Sequence, residues 1–471
     1  MSIDSRRVAT LGWLLAALLQ AGCSSLTAPE RSAEQARVDL PVRWQAESAS
    51  VVEEQPFFDS LDDLFRHPRL AELLHEAQRA NPDLNQLALR LKASGLLLKP
   101  VDARRYPALD LAWNKTRSYR DYSHSQAYEF GLNLAWELDL WGKLADQGAA
   151  ARTEDAALAQ DYAAARNALS VVILRTWVEA WSLQASLRNQ QQQLEALEQI
   201  ERIVLDSYRG GGVPLEDLSA VRLEQQSARA DLMASTEALA RNRRSLHLLL
   251  GRMPKATQLV DEAPLPEILM PPRQLPARVL ARRPDIQAAF HRLQALDAQT
   301  RASYKALLPS INLSGNLGRS AASGAMSTLF GGAGDGVWSL VGGITQPLFN
   351  AGSLRAQAQA AAADAEGGWW AYRKVLLTAV QEVENALAQE QSLSQQLQRL
   401  HAAQTQAQRL QQLYEDRYRS GLVDILDLID ARLKLLQTNA RLIQAKAARL
   451  DNRVLLAQAL GFAVEKHDER I

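Results

Sequence analysis

Cysteine is almost missing from this chain: Cys23 is the only one among 471 residues. No intrachain disulfide can form, which excludes the small stapled scaffolds of secreted domains. Net charge is missing as well. Lysine plus arginine number 53 and aspartate plus glutamate also 53, so no nucleic-acid footprint stands out. The seven histidines are scattered, with no two at the i,i+3 or i,i+4 spacing of a helical metal site. No nucleophile elbow or phosphate-binding glycine loop occurs, so an enzyme, even a hydrolase with paired carboxylates, has no motif behind it. Long apolar runs are lacking too. Leu11 to Ala21 offers about eleven such residues, where a bilayer-spanning helix needs about twenty.

What is plentiful is Leu, Ala, Gln, Glu and Arg, a long-helix composition rather than that of a compact α/β enzyme. The length exceeds that of a single globular core, leaving two domains or one elongated duplicated body. At the start, Arg6 and Arg7 precede the short apolar run, and Ala21-Gly22-Cys23-Ser24-Ser25 follows it. A basic start, an apolar centre and small residues before a cleavage point make a secretory signal. Cleavage before Cys23 would make the only thiol the new N-terminal residue; otherwise a lone cysteine reads as a small buried hydrophobe. The segment resembles the bacterial lipobox, although Gln20 stands where that pattern has leucine and the leucine is Leu19. The resemblance implies a diacylglyceryl thioether and an N-acyl chain on Cys23, and no other cofactor. Ser24 in second position resembles lipoproteins sent to the outer membrane. Two or three acyl chains make a stable anchor.

The segment Tyr418 to Leu433, YRSGLVDILDLIDARL, is nearly copied about 210 residues earlier, where Tyr208 to Leu223 reads YRGGGVPLEDLSAVRL. The copying extends further. Asn81-Pro82-Asp83 matches Arg283-Pro284-Asp285, each opening a predicted helix with proline in its first turn. Tyr106-Pro107 matches Leu308-Pro309, Gly142 matches Gly352, and Asn242-Arg243 with Leu250-Gly251 matches Asn452-Arg453 with Leu460-Gly461. Matches kept in one order identify a tandem duplication. Each half reads helix, strand, strand, long helix, turn, long helix.

Strands are predicted at about 109–119 and 126–140, then at about 310–319 and 337–349, from a switch to period two. Tyr128, Phe130, Leu132, Leu134, Trp136 and Leu138 alternate with Glu129, Gly131, Asn133, Ala135 and Glu137; Ile311, Leu313 and Leu317 alternate with Asn312, Ser314 and Asn316. A half-buried soluble sheet explains such alternation. Aromatics near the strand ends (Tyr128, Trp136, Trp141, Trp338, Phe349) fit a membrane barrel better, with Glu129, Asn133, Asn312 and Asn316 facing a water-filled lumen. Four strands cannot close, since about eight are needed, so membrane strands here require several copies. The segment Ser320 to Gly336, rich in Gly, Ala and Ser, reads as a surface loop.

Helical hairpins are predicted at about 144–251 and 354–461. No proline interrupts Leu144 to Tyr208, about 95 Å of helix. Leu169, Ile173, Ala180, Leu183, Leu187, Leu194, Leu197 and Val204 follow the alternating 4 and 3 steps of a coiled coil and read as packing surface.

A duplicated lipoprotein of this order resembles the outer-membrane efflux proteins, the outer membrane factor or TolC-like family, in its NodT-type lipoprotein branch. The resemblance rests on Asn81-Pro82-Asp83, Arg283-Pro284-Asp285-Ile286, Leu308-Pro309, Pro347-Leu348-Phe349 and the two Tyr-Arg-x-Gly turns. It implies a mainly α fold with a membrane β-barrel: a homotrimer closing a 12-stranded outer-membrane barrel continued by a long periplasmic α-helical barrel. It implies passive passage of substrates, with a periplasmic membrane-fusion adaptor and an inner-membrane transporter, of the resistance-nodulation-division type or similar, as partners beside the outer-membrane lipid. On this reading residues 1–22 are the signal peptide, 23–80 a lipidated extension with an equatorial segment, 81–265 and 266–462 the two repeats, and 463–471 a tail. Tyr208, Arg209, Gly211, Arg419 and Gly421 would form hairpin tips that dock the adaptor. Tyr418, Asp424, Asp427 and Asp430 would form a periplasmic gate. Asp424 also reads as an N-cap or first-turn carboxylate. The first half has Pro214, Glu216 and Asp217 there, so its tips point to packing and docking rather than selectivity. A lipid-anchored coiled-coil adaptor without a pore is the alternative; it explains the helices but not four alternating strands.

Overall fold

The computed structural model describes residues 68–120, 123–257, 276–321 and 335–462, with residues 28, 41, 44 and 45 besides. The signal-like segment, Cys23 and the C-terminal tail lie outside the described residues. Helices α1 (Pro68–Ala80) and α2 (Pro82–Ala103) lead to strands β1 (Ala108–Arg120) and β2 (Ser123–Leu138). Two long helices follow, α3 (Lys143–Arg209) and α4 (Leu215–Leu249). The second repeat runs α5 (Pro276–Arg282), α6 (Pro284–Lys305), β3 (Ser310–Ala321), β4 (Asp335–Thr345), α7 (Ser353–Arg419) and α8 (Ile425–Ala459).

Three helix pairs keep the duplication to the residue. Helices α2 and α6 both have 22 residues, α3 and α7 both 67, α4 and α8 both 35. Among the described residues all positive-φ glycines pair across the repeats: Gly142 with Gly352, Gly211 with Gly421, Gly251 with Gly461. The Tyr-Arg-x-Gly turns owe their sequence to this backbone. The N–H of Gly211 donates to the carbonyl of Tyr208 at 3.0 Å and that of Gly212 to Ser207 at 2.8 Å. In the second repeat Gly421 donates to Tyr418 at 3.0 Å and Leu422 to Arg417 at 2.9 Å. Paired 5→2 and 6→1 bonds of this kind satisfy the last helical carbonyls, and they need a left-handed residue three positions after the tyrosine.

The x-Pro-Asp motifs tie each repeat's start to its end. Asn81 Nδ2 donates to the carbonyl of Leu249 at 3.0 Å, while its Oδ1 accepts the N–H groups of Asp83 and Leu84. Arg283 reaches the equivalent carbonyl, Ala459, at 3.3 Å and pairs with Glu382 at 2.7 Å. Pro82 and Pro284 sit where a helical N–H has no partner anyway. One asparagine locks each hairpin, at matching heights: Asn242 to the carbonyl of Thr176 at 3.2 Å, Asn452 to that of Ala386 at 3.0 Å.

By its contacts the chain forms two compact units, each drawing on both repeats: residues 1–39, 89–161 and 285–375 in one, and 40–88, 162–284 and 376–471 in the other. In the second unit Ile173, Leu174, Leu246, Leu250, Val454 and Leu456 are fully buried with Leu70, Leu73 and Leu74 of α1. Ile173, Ala180, Leu197 and Val204 of the 4-and-3 seam are buried there as well.

The first unit holds one antiparallel sheet in the order β1-β2-β3-β4, the central pair joining the two repeats. Trp136 Nε1 donates to the carbonyl of Arg105 at 3.0 Å and Trp141 Nε1 to that of Pro309 at 2.7 Å, tying strand ends to helix ends. Two strands end earlier than expected. Strand β2 stops at Leu138, because the Asp139 carboxylate turns to accept the N–H groups of Leu144 and Ala145 at 3.0 and 2.7 Å, capping α3. Strand β4 stops at Thr345 instead of about 349: Pro347 has no N–H for a ladder, and Gln346 bonds to the carbonyl of Leu307 at 3.1 Å. Leu348 and Phe349 lie beyond it, 92% and 91% exposed. The ends of the expected loop are strand, since β3 runs to Ala321 and β4 begins at Asp335; residues 322–334 lie outside the described residues.

Gly211 and Gly251 both need positive φ, but a Cβ at Gly211 meets nothing within 4 Å while one at Gly251 would lie 2.2 Å from the Ala80 carbonyl oxygen. Gly211→Ala is expected to cost about 1 kcal/mol of stability. Gly251→Ala should cost several-fold more and leave the purified protein sensitive to protease, read by thermal unfolding and limited proteolysis. Equal losses would mean that the approach to Ala80 does not constrain the hairpin's end.

Candidate channel wall and hairpin tips

Register sorts the sheet into two faces. Leu111, Leu132, Leu317 and Trp338 make one cross-strand row on the first; Asp110, Asn133, Asn316 and Ser339 make one on the second. Most of the apolar face is uncovered: Leu317 is 64% exposed, Trp338 76% and Ile344 73%, while Tyr128 and Ala321 at one end are buried. Each such side chain left in water forgoes about 1.5–3 kcal/mol. A soluble half-buried sheet would cover this face, so that reading fails. Strands β1 and β4 each have one neighbour, leaving a row of backbone N–H and C=O groups unpaired on either edge of the sheet.

The polar face carries all four strand residues predicted to face a lumen. Asn316 Nδ2 donates to Asn133 Oδ1 at 2.7 Å; Glu129 pairs in register with Asn114 and Ser320, and Asn312 with Glu137. Glu137 itself bonds Lys143 at 2.5 Å. Asp110 and Asp335 share this face and were missed by the sequence reading. The signal was available for Asp110, which stands between Leu109 and Leu111 in strict alternation. Gly131 and Gly318 face each other so closely that a Cβ on Gly131 would fall 2.8 Å from the other's Cα. Small residues there let the sheet curl toward its polar side.

The hairpin tips belong to the second unit. Leu197, Val204, Leu218 and Ile429 form a shared apolar cluster under both turns. Tyr208 and Tyr418 are partly exposed, Arg209 lies 3.7 Å from Asp206, and Arg419 pairs with Glu415. Gly211 and Gly421 take φ of 74° and 72°. Asp424 occupies the N-cap position of α8 with φ −76° and ψ 158°, yet its side chain makes no capping bond. Asp427 is exposed in the first turn. Asp430 is exposed as well and bonds Lys434 at 2.5 Å. That hydrogen bond, with the charge attraction behind it, holds the Lys434 ammonium above the usual lysine range. Asp430's charge is thus offset, while Asp424 and Asp427 stand one turn apart nearer the tip.

The two hairpins are stitched differently. In the first, Glu201 accepts from Arg222 at 2.8 Å and Gln225 at 2.9 Å, and Glu198 from Arg229 at 3.1 Å. Arg222 foremost, with Gln225, holds the Glu201 carboxyl below its usual range. The second hairpin has Gln411 and Leu435 at the matching places, and Arg432 reaches across to Gln199 of α3 at 3.3 Å.

Among the described residues no helix is long and apolar enough to cross a membrane, and no side-chain cluster could hold a metal ion. The chain matches the Outer membrane efflux protein family over residues 73–252 and 275–462, one match per repeat. It belongs to that family. Its relatives include the Probable outer membrane lipoprotein SilC of Salmonella typhimurium, 30% identical over 94% of this chain and 96% of SilC. The cation efflux system protein CusC of Escherichia coli is 30% identical over 83% of this chain and 85% of CusC. Among solved structures, the outer-membrane channel OprN superposes with a TM-score of 0.82 at 25% identity, covering 93% of this chain and 99% of OprN. This outer membrane efflux protein is therefore an outer-membrane channel with the TolC-like fold.

The face assignment has a direct measurement. Single cysteines placed at Glu129, Asn133, Asn312 or Asn316 should react with membrane-impermeant maleimide in intact membranes. Cysteines at Leu111, Leu132 or Leu317 should stay unlabelled there and react only in detergent. The opposite pattern would turn the sheet inside out.

Proposed function

We propose that three copies of this chain close a twelve-stranded barrel whose polar faces line a pore. The pore then serves a tripartite efflux system, passing substrates handed over by an inner-membrane transporter through a periplasmic membrane-fusion adaptor. The observation carrying this reading is the four-stranded sheet with one apolar face, one polar face and two open edges. An open edge cannot stand in hydrocarbon, so β1 of one copy must meet β4 of the next. Two copies would give eight strands, whose interior side chains fill; three is the smallest ring that leaves a channel of water. Passage through such a pore needs no catalytic step, and none is assigned. Electrophoresis without boiling and mass photometry should find a trimer that conducts in planar bilayers. A non-conducting monomer would support the adaptor alternative instead.

The lipid belongs to the same reading. The Ala21-Gly22-Cys23 segment and SilC's name as a lipoprotein support cleavage before Cys23 and acylation of its sulfur and amine. The intact mass should show residues 1–22 absent and acyl chains present, and Cys23→Ser should lose the acyl mass while still forming pores.

At the hairpin tips, which on this reading form the periplasmic entrance, Tyr418 bridges neighbouring helices, and Asp424, Asp427 and Asp430 form charged rings in a trimer. Rings of carboxylate favour cations. Tyr208, Arg209, Gly211, Arg419 and Gly421 present the docking surface to the adaptor. Replacing Asp427 and Asp430 together by alanine also frees Lys434, so conductance should rise and selectivity should move toward anions. Unchanged conductance and selectivity with an intact trimer would put the constriction elsewhere.

A further inference from the structure

We propose that the outward face of each protomer binds a phosphorylated glycolipid of the outer leaflet through Lys115, Arg117 and Arg319. The proposal rests on the barrel reading above. On the apolar face the charged strand residues are these three cations, with no carboxylate. Asp110, Glu129, Glu137 and Asp335 all fall on the polar face, with Arg120 at the end of β1 the one strand cation in register with them. A merely solvated surface mixes signs; the apolar face does not.

Their height on the sheet matches a headgroup. Along β2 the apolar face runs from Leu138 to Phe130 in five rows, about 26 Å along the strand, comparable to the apolar band of membrane barrels. Arg319 pairs with Phe130 in the last of these rows. Lys115 pairs with Tyr128 in the next, and Arg117 with Gln126 in the one after. The cations therefore begin where hydrocarbon ends, in three consecutive rows about 7 Å apart. All three are exposed. The Lys115 ammonium lies 5.4 Å from the centre of the Tyr128 ring, which packs with Phe130 and Ala321, so its base is fixed on the strand. Tyr119, 62% exposed, follows two residues beyond Arg117 on the same face and offers a ring for a sugar to stack on. Two guanidinium groups with an ammonium between them suit phosphate oxygens, which arginine binds in bidentate fashion.

The direction of the sheet selects the leaflet. The chain enters β1 and β3 from α2 and α6 and leaves β2 and β4 toward α3 and α7, all at one end. The three cations stand at the opposite end, beside the strand-to-strand connections. With the helices on the periplasmic side, that end meets the outer leaflet, and the lipid is a phosphorylated glycolipid rather than an inner-leaflet phospholipid.

The test uses the full-length oligomer in detergent. Bound lipid is counted by native mass spectrometry with diphosphorylated lipid A, monophosphorylated lipid A, phosphatidylglycerol and phosphatidylethanolamine as probes. Diphosphorylated lipid A should bind most tightly. The triple variant Lys115→Gln, Arg117→Gln, Arg319→Gln should weaken it at least about tenfold while keeping oligomer and conductance. The pair Arg117→Lys, Arg319→Lys keeps the charge and should lose part of the affinity, which guards against a triple variant that fails to assemble. Equal binding by wild type and both variants, or no preference among the four lipids, overturns the proposal. A preference for phosphatidylglycerol overturns the leaflet assignment. A wild type that binds lipid A without conducting would instead count against the pore.

Discussion

Backbone hydrogen bonds at the two edges of the sheet govern everything else about this protein. Strands β1 and β4 each present a row of donors and acceptors that the chain itself does not satisfy. In water such an edge is an aggregation hazard; in hydrocarbon it is excluded outright. On the proposed barrel reading the apolar face meets lipid, and lipid then demands closure with other copies. Closure in turn turns the polar face inward. Gly131 and Gly318, with Ser and Ala along the same face, let that side become the concave one. On that reading, assembly is a condition for the strands to exist in the membrane at all.

Duplication supplies the parts, and the structure shows how tightly it has been kept. Equal helix lengths and paired left-handed glycines would not survive unless each turn had to fall at the same height in both repeats. The side chain before each proline differs, asparagine in one repeat and arginine in the other, yet both reach the terminal carbonyl of their hairpin's return helix. Where the repeats diverge, the hydrogen bonds between helices change. Glu201, Arg222 and Gln225 zip the first hairpin to itself. The second, lacking two of these, leans on α3 through Arg432 and keeps its aspartates exposed.

Charge completes the division of labour. The strands keep their carboxylates off the apolar face, which carries Lys115, Arg117 and Arg319. At the tips, Lys434 offsets Asp430 and leaves Asp424 and Asp427 as the less compensated carboxylates. These patterns cost little in folding energy, because exposed charges are hydrated wherever they stand. They therefore report what each surface faces rather than what holds the fold together.

Much of this was legible in the sequence, for a physical reason. Period-two alternation in β2, the 4-and-3 seam of α3, the Tyr-Arg-x-Gly turns and the x-Pro-Asp starts are local rules, written in neighbouring residues. Local rules do not contain register. That Asn133 meets Asn316, that Asp110 and Asp335 join Glu129 on the polar face, and that Lys115, Arg117 and Arg319 fall in consecutive rows depends on pairing between strands far apart in the chain. Likewise Asn81 and Arg283 could be seen to match, but their common target, the end of the return helix, lies about 170 residues away. The sequence by itself determined the repeat, the element types and the family. Only the tertiary structure decided which side chains share a face, because hydrogen-bond register and close packing bring together residues that no periodicity connects.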